Sequence, residues 1–227
     1  MIGVSFHSAV AGIPVAILEG TLVILPRANP LSWLTRLRSP GWIALLPGSI
    51  IVGTFGLLLF PSMAFWAVLA AAVTAPLLAA LAVLFVSRAP SVLLPSAAAA
   101  AALAMLDGGS GGRYGTSVIT ALACMTVGAG LQRLIPGRWL LAGVVSMSAV
   151  DVALLGTGFG YHQTALLAAA TSRFPGPLMT GARLGTVTIG YPDLCLAAVL
   201  GASVAGTRDQ TRAAVLLTAL AIGWTRF

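Results

Sequence analysis

Runs of about twenty apolar residues, each bounded by proline, glycine or arginine, follow one another along almost the whole 227-residue chain. A run of that length is what a helix needs to cross a bilayer at 1.5 Å per residue. Eight such spans are expected, at approximately 2–25, 42–60, 62–87, 91–106, 115–135, 139–159, 184–206 and 211–225. Backbone groups facing lipid must be satisfied within their own segment, so each span reads as a helix. The fold class is all-α: one polytopic membrane domain over residues 1–227.

Composition excludes the soluble alternatives. Only 7% of residues are charged, against about 25% in a soluble globular domain, so a water-soluble enzyme, a disordered tail and a disulfide scaffold are all excluded. The net charge of +7 comes from twelve arginines and no lysine, scattered singly between apolar runs. That pattern has no basic patch with interleaved aromatics, and no nucleic-acid partner is expected. Cys124 and Cys195 lie inside apolar runs and read as small buried hydrophobes. No basic segment precedes the first run, so it reads as a retained span and not a removed signal peptide.

The connections carry the remaining signals. Residues 26–41 (PRANPLSWLTRLRSPG) suit a membrane interface, and 107–115 (DGGSGGRYG) reads as a flexible loop. Arg27, Arg36, Arg38, Arg88, Arg133, Arg138, Arg208 and Arg212 follow odd-numbered spans, whereas Arg113, Arg173, Arg183 and Arg226 fall on the opposite side. That bias places the N-terminus outside, with a prokaryotic inner (plasma) membrane as the expected location.

Five acids occur in the chain. Asp107 and Asp209 fall in loops; Glu19, Asp151 and Asp193 fall in spans, where a carboxylate costs about 2.5–3.5 kcal/mol on insertion scales and usually faces a bundle interior or water. Glu19, six residues from the end of its span, reads as snorkelling to the interface or bonding a neighbouring helix, and not as a catalytic acid. Asp151 (SMSAVDVALLG) lies about 12 Å from the end of span six, and Asp193 (TVTIGYPDLCLAAVLG) about 13 Å from the start of span seven. Both distances start from the same face, so the two carboxyl groups are expected at one depth. Two carboxyl groups in contact hold one proton between them, one acting as base and the other as acid. Such a pair activates water against a peptide carbonyl and protonates the leaving nitrogen. Proton-coupled transporters also place acids at mid-membrane, so the spacing alone leaves both chemistries open.

Pro192 lacks an N–H and crowds the carbonyl of Thr188, and Gly190 adds backbone freedom. The seventh helix is therefore expected to loosen just before Asp193, exposing a backbone edge that an extended peptide can pair with. Tyr191 is a packing residue or a hydrogen-bonding neighbour of the acids. His7 and His162 lack metal-ligand spacing and read as surface residues. Gly156, Gly158 and Gly160 permit close approach or end the sixth helix. A short apolar piece at 164–170 reads either as a segment dipping into the interface to gate substrate or as an inert re-entrant loop.

Val150-Asp151 in span six, followed by Gly190-Tyr191-Pro192-Asp193 in span seven, resembles the intramembrane aspartyl proteases of the presenilin and signal peptide peptidase type. Those proteins carry Tyr-Asp in the sixth helix and Gly-x-Gly-Asp in the seventh. The likeness extends over roughly residues 139–206. It implies Asp151 and Asp193 as the catalytic dyad, supported by Gly190, Tyr191 and Pro192, with no metal or organic cofactor. The implied partners are transmembrane helical peptides or proteins cleaved within the bilayer. Val150 replaces the family's tyrosine, Pro192 replaces its second motif glycine, and the Pro-Ala-Leu motif of its ninth helix has no counterpart after Asp193 in these residues. Two other functions fit the same acids: a proton-coupled transporter or channel, and a non-catalytic membrane binding protein.

Overall fold

The computed structural model describes residues 6–28, 30–106, 110–174, 176, 179, 181–184 and 187–224. Its helices are α1 (Phe6–Ile24), α2 (Leu45–Leu59), α3 (Met63–Leu81), α4 (Pro90–Leu106), α5 (Ser110–Leu134), α6 (Gly137–Gly156), α7 (Phe159–Thr171), α8 (Tyr191–Val204) and α9 (Gln210–Trp224). One π turn, Ala82–Val86, extends α3, and two 3-10 turns, Ser32–Leu37 and Pro40–Ala44, fill the connection before α2. Two short strands, β1 (Gly181–Leu184) and β2 (Val187–Gly190), form an antiparallel pair ahead of α8, with Gly181 opposite Gly190 and Leu184 opposite Val187.

The all-α class stands. Among the described residues, four helical stretches are long and apolar enough to cross a membrane: Pro40–Leu59, Met63–Val86, Gly111–Leu134 and Gly137–Gly156. Their burial separates them. The α5 stretch is 72% buried, against 17–28% for the other three, so α5 is the axis around which the rest assemble. Helices α3, α4 and α8 pack on it directly, α1 lies between α8 and α9, and α2 leans on α6 and α7. The outward faces are apolar: Val52 and Leu59 are each 72% exposed and Trp66 64%. Exposed apolar area of this kind marks a surface built for a membrane or another apolar partner, and it is compatible with an integral membrane protein.

Small residues bring the central helices together. A Cβ on Gly128 of α5 would sit 2.6 Å from the Ala198 carbonyl carbon of α8, and one on Gly201 of α8 would collide with the Leu22 carbonyl of α1. Backbone-to-backbone approach at these two points fixes α1, α5 and α8 side by side. At one end of the bundle, the backbone N–H of Arg27 donates to Val86 (2.9 Å), that of Arg88 to Leu25 (3.0 Å), and that of Ser39 to Leu134 (2.9 Å). These bonds collect the ends of α1, α3 and α5, and with them Arg27, Arg36, Arg38, Arg88, Arg133 and Arg138, at a single pole. Arg208 and Arg212 join them at the turn between α8 and α9, where Gly206 abuts Ala28.

Three expectations need correction. Residues 110–115 are not loop but the first turns of α5; a Cβ on Gly115 would overlap the Ala100 carbonyl of α4, so packing on α4 overrides the low helix propensity of glycine. Residues 107–109, Asp107 included, lie outside the described set. The seventh span is not helical from 184: β-branched Val187, Thr188 and Ile189 take the extended conformation they favour, and the helix starts only at Tyr191. Finally, the apolar piece in the connection after α6 is the full helix α7, entered through Gly158 at φ +79°, a left-handed geometry that glycine takes without strain.

Candidate functional site

The start of α8 organises the site. Gly190 is its extended N-cap, and Pro192 stands in the first turn, where its missing N–H has no helical partner to lose. Asp193 therefore enters in the first turn, beside backbone N–H groups that favour a negative charge. The proline does not loosen a running helix, as the sequence suggested. It starts one, and the non-helical backbone ahead of it is the β1–β2 pair.

That pair is anchored to α5 by Ser117, a fully buried residue. The Arg183 N–H donates to Ser117 Oγ at 2.8 Å, and the Ser117 hydroxyl lies 3.1 Å from the Arg183 carbonyl and 2.7 Å from that of Arg113. The outer edge of β1 is thus engaged. Among the described residues no hydrogen bond reaches the outer edge of β2, which runs straight into α8.

A cavity of about 1080 Å³ opens beside α8, walled by α1, α6, α8 and α9. Asp193 lines it and is exposed. Its other walls are mostly aliphatic, including Leu140 and Val144 of α6, Leu196 and Leu200 of α8 and Leu220 of α9. Ile189, the penultimate residue of β2, also lines it, so the strand edge and the acid meet the same space.

Asp151 is half-buried on α6 and does not line this cavity. Measured from the arginine-bearing pole, Asp151 lies about 21 Å along α6 from Gly137 and Asp193 about 16 Å along α8 from Val204, at 1.5 Å per residue. The two are near enough for their charges to interact, but no hydrogen bond joins them among the described residues. The structure thus puts the two aspartates within electrostatic range of each other, Asp193 on the cavity wall and Asp151 off it.

Gly190, Tyr191 and Pro192 hold distinct positions. Tyr191 is half-buried against the core at α5, near Cys124, Cys195 and Thr120, away from the cavity lining. The Thr120 hydroxyl makes no hydrogen bond within ordinary limits, so Tyr191 serves packing. Cys124 and Cys195 are both free thiols, and Cys124 is buried. His162 sits on α7, and the side chain of His7 lies outside the described set. Among the described residues, no three His, Cys, Asp or Glu side chains converge as metal ligands.

Sequence reading missed Glu19 as part of this site. It is half-buried, lines the cavity from α1, and interacts electrostatically with Asp193. The signal was present, because an acid within a span is by default a functional residue; its nearness to the span end argued for snorkelling instead. Gln132 of α5 and Ser203 of α8 complete the polar lining.

Compared with protein-family profiles, with curated proteins and with solved structures, the chain matches none.

Proposed function

We propose that the chain is an intramembrane aspartyl protease, or a relative of one, hydrolysing peptide bonds within or near transmembrane helices with Asp151 and Asp193. The observation that carries this reading is the strand edge of β2, unpaired among the described residues, which leads within three residues into an acid on a cavity wall. Proteolysis needs an unwound peptide beside an acid–base pair, and an open strand edge captures an extended segment by main-chain hydrogen bonds. In this reading all eight long apolar segments cross the bilayer, α7 lies at the interface, and the arginine-bearing pole faces the cytoplasm.

The chemistry follows from two carboxyl groups and one water. One aspartate, ionised, takes a proton from the water as its oxygen attacks the scissile carbonyl. The other, protonated, gives its proton to the carbonyl oxygen. The proton gained by the first then passes to the leaving nitrogen as the C–N bond breaks, while the second aspartate takes back a proton from a diol hydroxyl, which leaves the new carboxylic acid and restores the pair. Among the described residues no hydrogen bond joins the pair, and closure of α6 onto α8 around a bound segment would bring both acids to the water, in keeping with catalytic contacts that tighten only in the substrate complex.

The test is cleavage of a reporter transmembrane helix in proteoliposomes. Product should appear with the unaltered protein, fall by about 10²–10⁴-fold in either Asp151→Ala or Asp193→Ala, and be blocked by an aspartyl transition-state mimic. Proton flux lost in Asp151→Asn with no peptide product from any variant identifies a transporter and refutes the proposal.

A further inference from the structure

The cavity has an electrostatic character that the two aspartates alone do not explain. Glu19 and Asp193 both line it, and among the described residues no arginine does. The chain has twelve arginines, yet the ion pair that forms among the described residues is Arg212 with Asp209, both exposed and away from the cavity. Glu19 makes no hydrogen bond or ion pair among the described residues. A carboxylate in an aliphatic cavity either takes a partner or gives up its charge, and among the described residues none is supplied there. Gln132, on the same lining, has a side-chain oxygen that is buried and accepts no hydrogen bond. The unmet groups are acceptors, so what they lack is a donor carrying positive charge.

The helices also set where that charge belongs. Helices α1 and α8 run in the same direction, with Gly201 level with Leu22 and Val23. Glu19 therefore lies level with residues 197–198 of α8, about 6–7 Å beyond Asp193 toward the arginine-bearing pole, at 1.5 Å per residue. In an extended peptide that distance is about two residues.

We propose that Glu19 selects the occupant of this cavity: an apolar peptide segment bearing one lysine or arginine about two residues from the bond placed at Asp193, on the side toward the arginine-bearing pole. This inference rests on the protease reading for the identity of the occupant, but its charge preference stands or falls by binding alone. The ammonium or guanidinium group supplies donors to Glu19 and to the Gln132 oxygen, while the aliphatic walls take the flanking residues. Glu19 is a specificity residue and has no part in the acid–base chemistry.

Two apolar peptides of transmembrane length, differing only in one lysine or methionine at that position, distinguish the outcomes. Binding to the full-length protein in detergent micelles is read by fluorescence anisotropy, and cleavage by mass spectrometry. The lysine peptide should bind about ten- to a hundredfold tighter, the scale of a hydrogen bond to a charged group. Glu19→Gln should bring the two peptides within about twofold of one another, Glu19→Asp should retain part of the preference, and Glu19→Lys should favour a glutamate peptide. Equal binding of both peptides by the unaltered protein overturns the inference, whether or not either is cleaved. Charge-selective binding without cleavage upholds it and refutes the protease. Should Glu19→Gln fail to fold, the lysine–methionine comparison on the unaltered protein still decides.

Discussion

Gln210 is the joint on which the arginine-bearing pole depends, and replacing it with leucine tests the architecture directly. Its side chain is 4% exposed. The Nε2 group donates toward the carbonyls of Val23 (2.8 Å), Ile24 (3.1 Å) and Pro26 (3.2 Å), and Oε1 accepts from the Gly206 N–H (3.1 Å) and from the Arg88 guanidinium. Arg88 Nε in turn donates to the Pro26 carbonyl at 2.9 Å. One side chain thus ties the end of α1 to the start of α9, the turn before it and the end of α3. Leucine preserves the volume and removes every one of these bonds. Neutral hydrogen bonds contribute about 0.5–1.5 kcal/mol and those to a charged group about 1.5–3, while bonds between membrane helices average about 0.6. Four effective bonds therefore give a loss of about 2–5 kcal/mol. At about 2–4 °C per kcal/mol for a chain of this size, Gln210→Leu should melt roughly 4–20 °C lower in detergent micelles, followed by tryptophan fluorescence. Gln210→Glu separates the two halves of the group. It keeps the acceptor for Arg88 and Gly206 but turns a carboxylate toward three carbonyls, so it too should destabilise. A leucine variant within about 1 kcal/mol of the unaltered protein refutes the reasoning, and a stable glutamate variant refutes the role given to the Nε2 donors.

The remaining expectations concern the axis and the site. Gly128→Val should lower stability by about 3 kcal/mol or more, because a side chain must be forced between α5 and the α8 backbone; melting in micelles checks it, and an unchanged midpoint sinks the close-approach account. Ser117→Ala removes the clamp on β1 with little change in volume. It should loosen the strand pair by about 1–3 kcal/mol, read as faster amide exchange at 181–190, with cleavage slowed and α8 still helical. Thr54→Val breaks the hydroxyl's 2.7 Å bond to the Gln163 side-chain carbonyl and should cost about 1 kcal/mol, with protease nicking around α7 as the readout and cleavage of the reporter helix left unchanged.

Much of the architecture was written in the chain itself. Apolar runs account for α1, α2, α3, α4, α5, α6 and α9 to within a few residues at most ends, because a helix satisfies its own backbone wherever the solvent does not. Pro61, Pro90 and Gly158 mark boundaries for reasons local to each residue: a missing N–H in the first two and a positive φ in the third. The grouping of eight arginines at one pole was likewise legible, since consecutive spans must alternate in direction.

What the tertiary structure decided is everything that depends on which helix lies beside which. Apolarity gives no neighbour, and α5 became the axis only because Gly115, Gly128 and their opposite residues allow backbones to touch. Residues 187–190 are apolar enough for a helix yet form a strand, because β1, held to α5 through Ser117 and Arg183, offers their backbone a partner and Pro192 begins the helix afresh. Glu19 and Asp193, 174 positions apart by their numbers, line one cavity because Gly201 brings α8 against α1. A height along a helix is a property of one segment and can be counted along it; a shared wall is a property of packing, and the order of residues along a chain does not contain it.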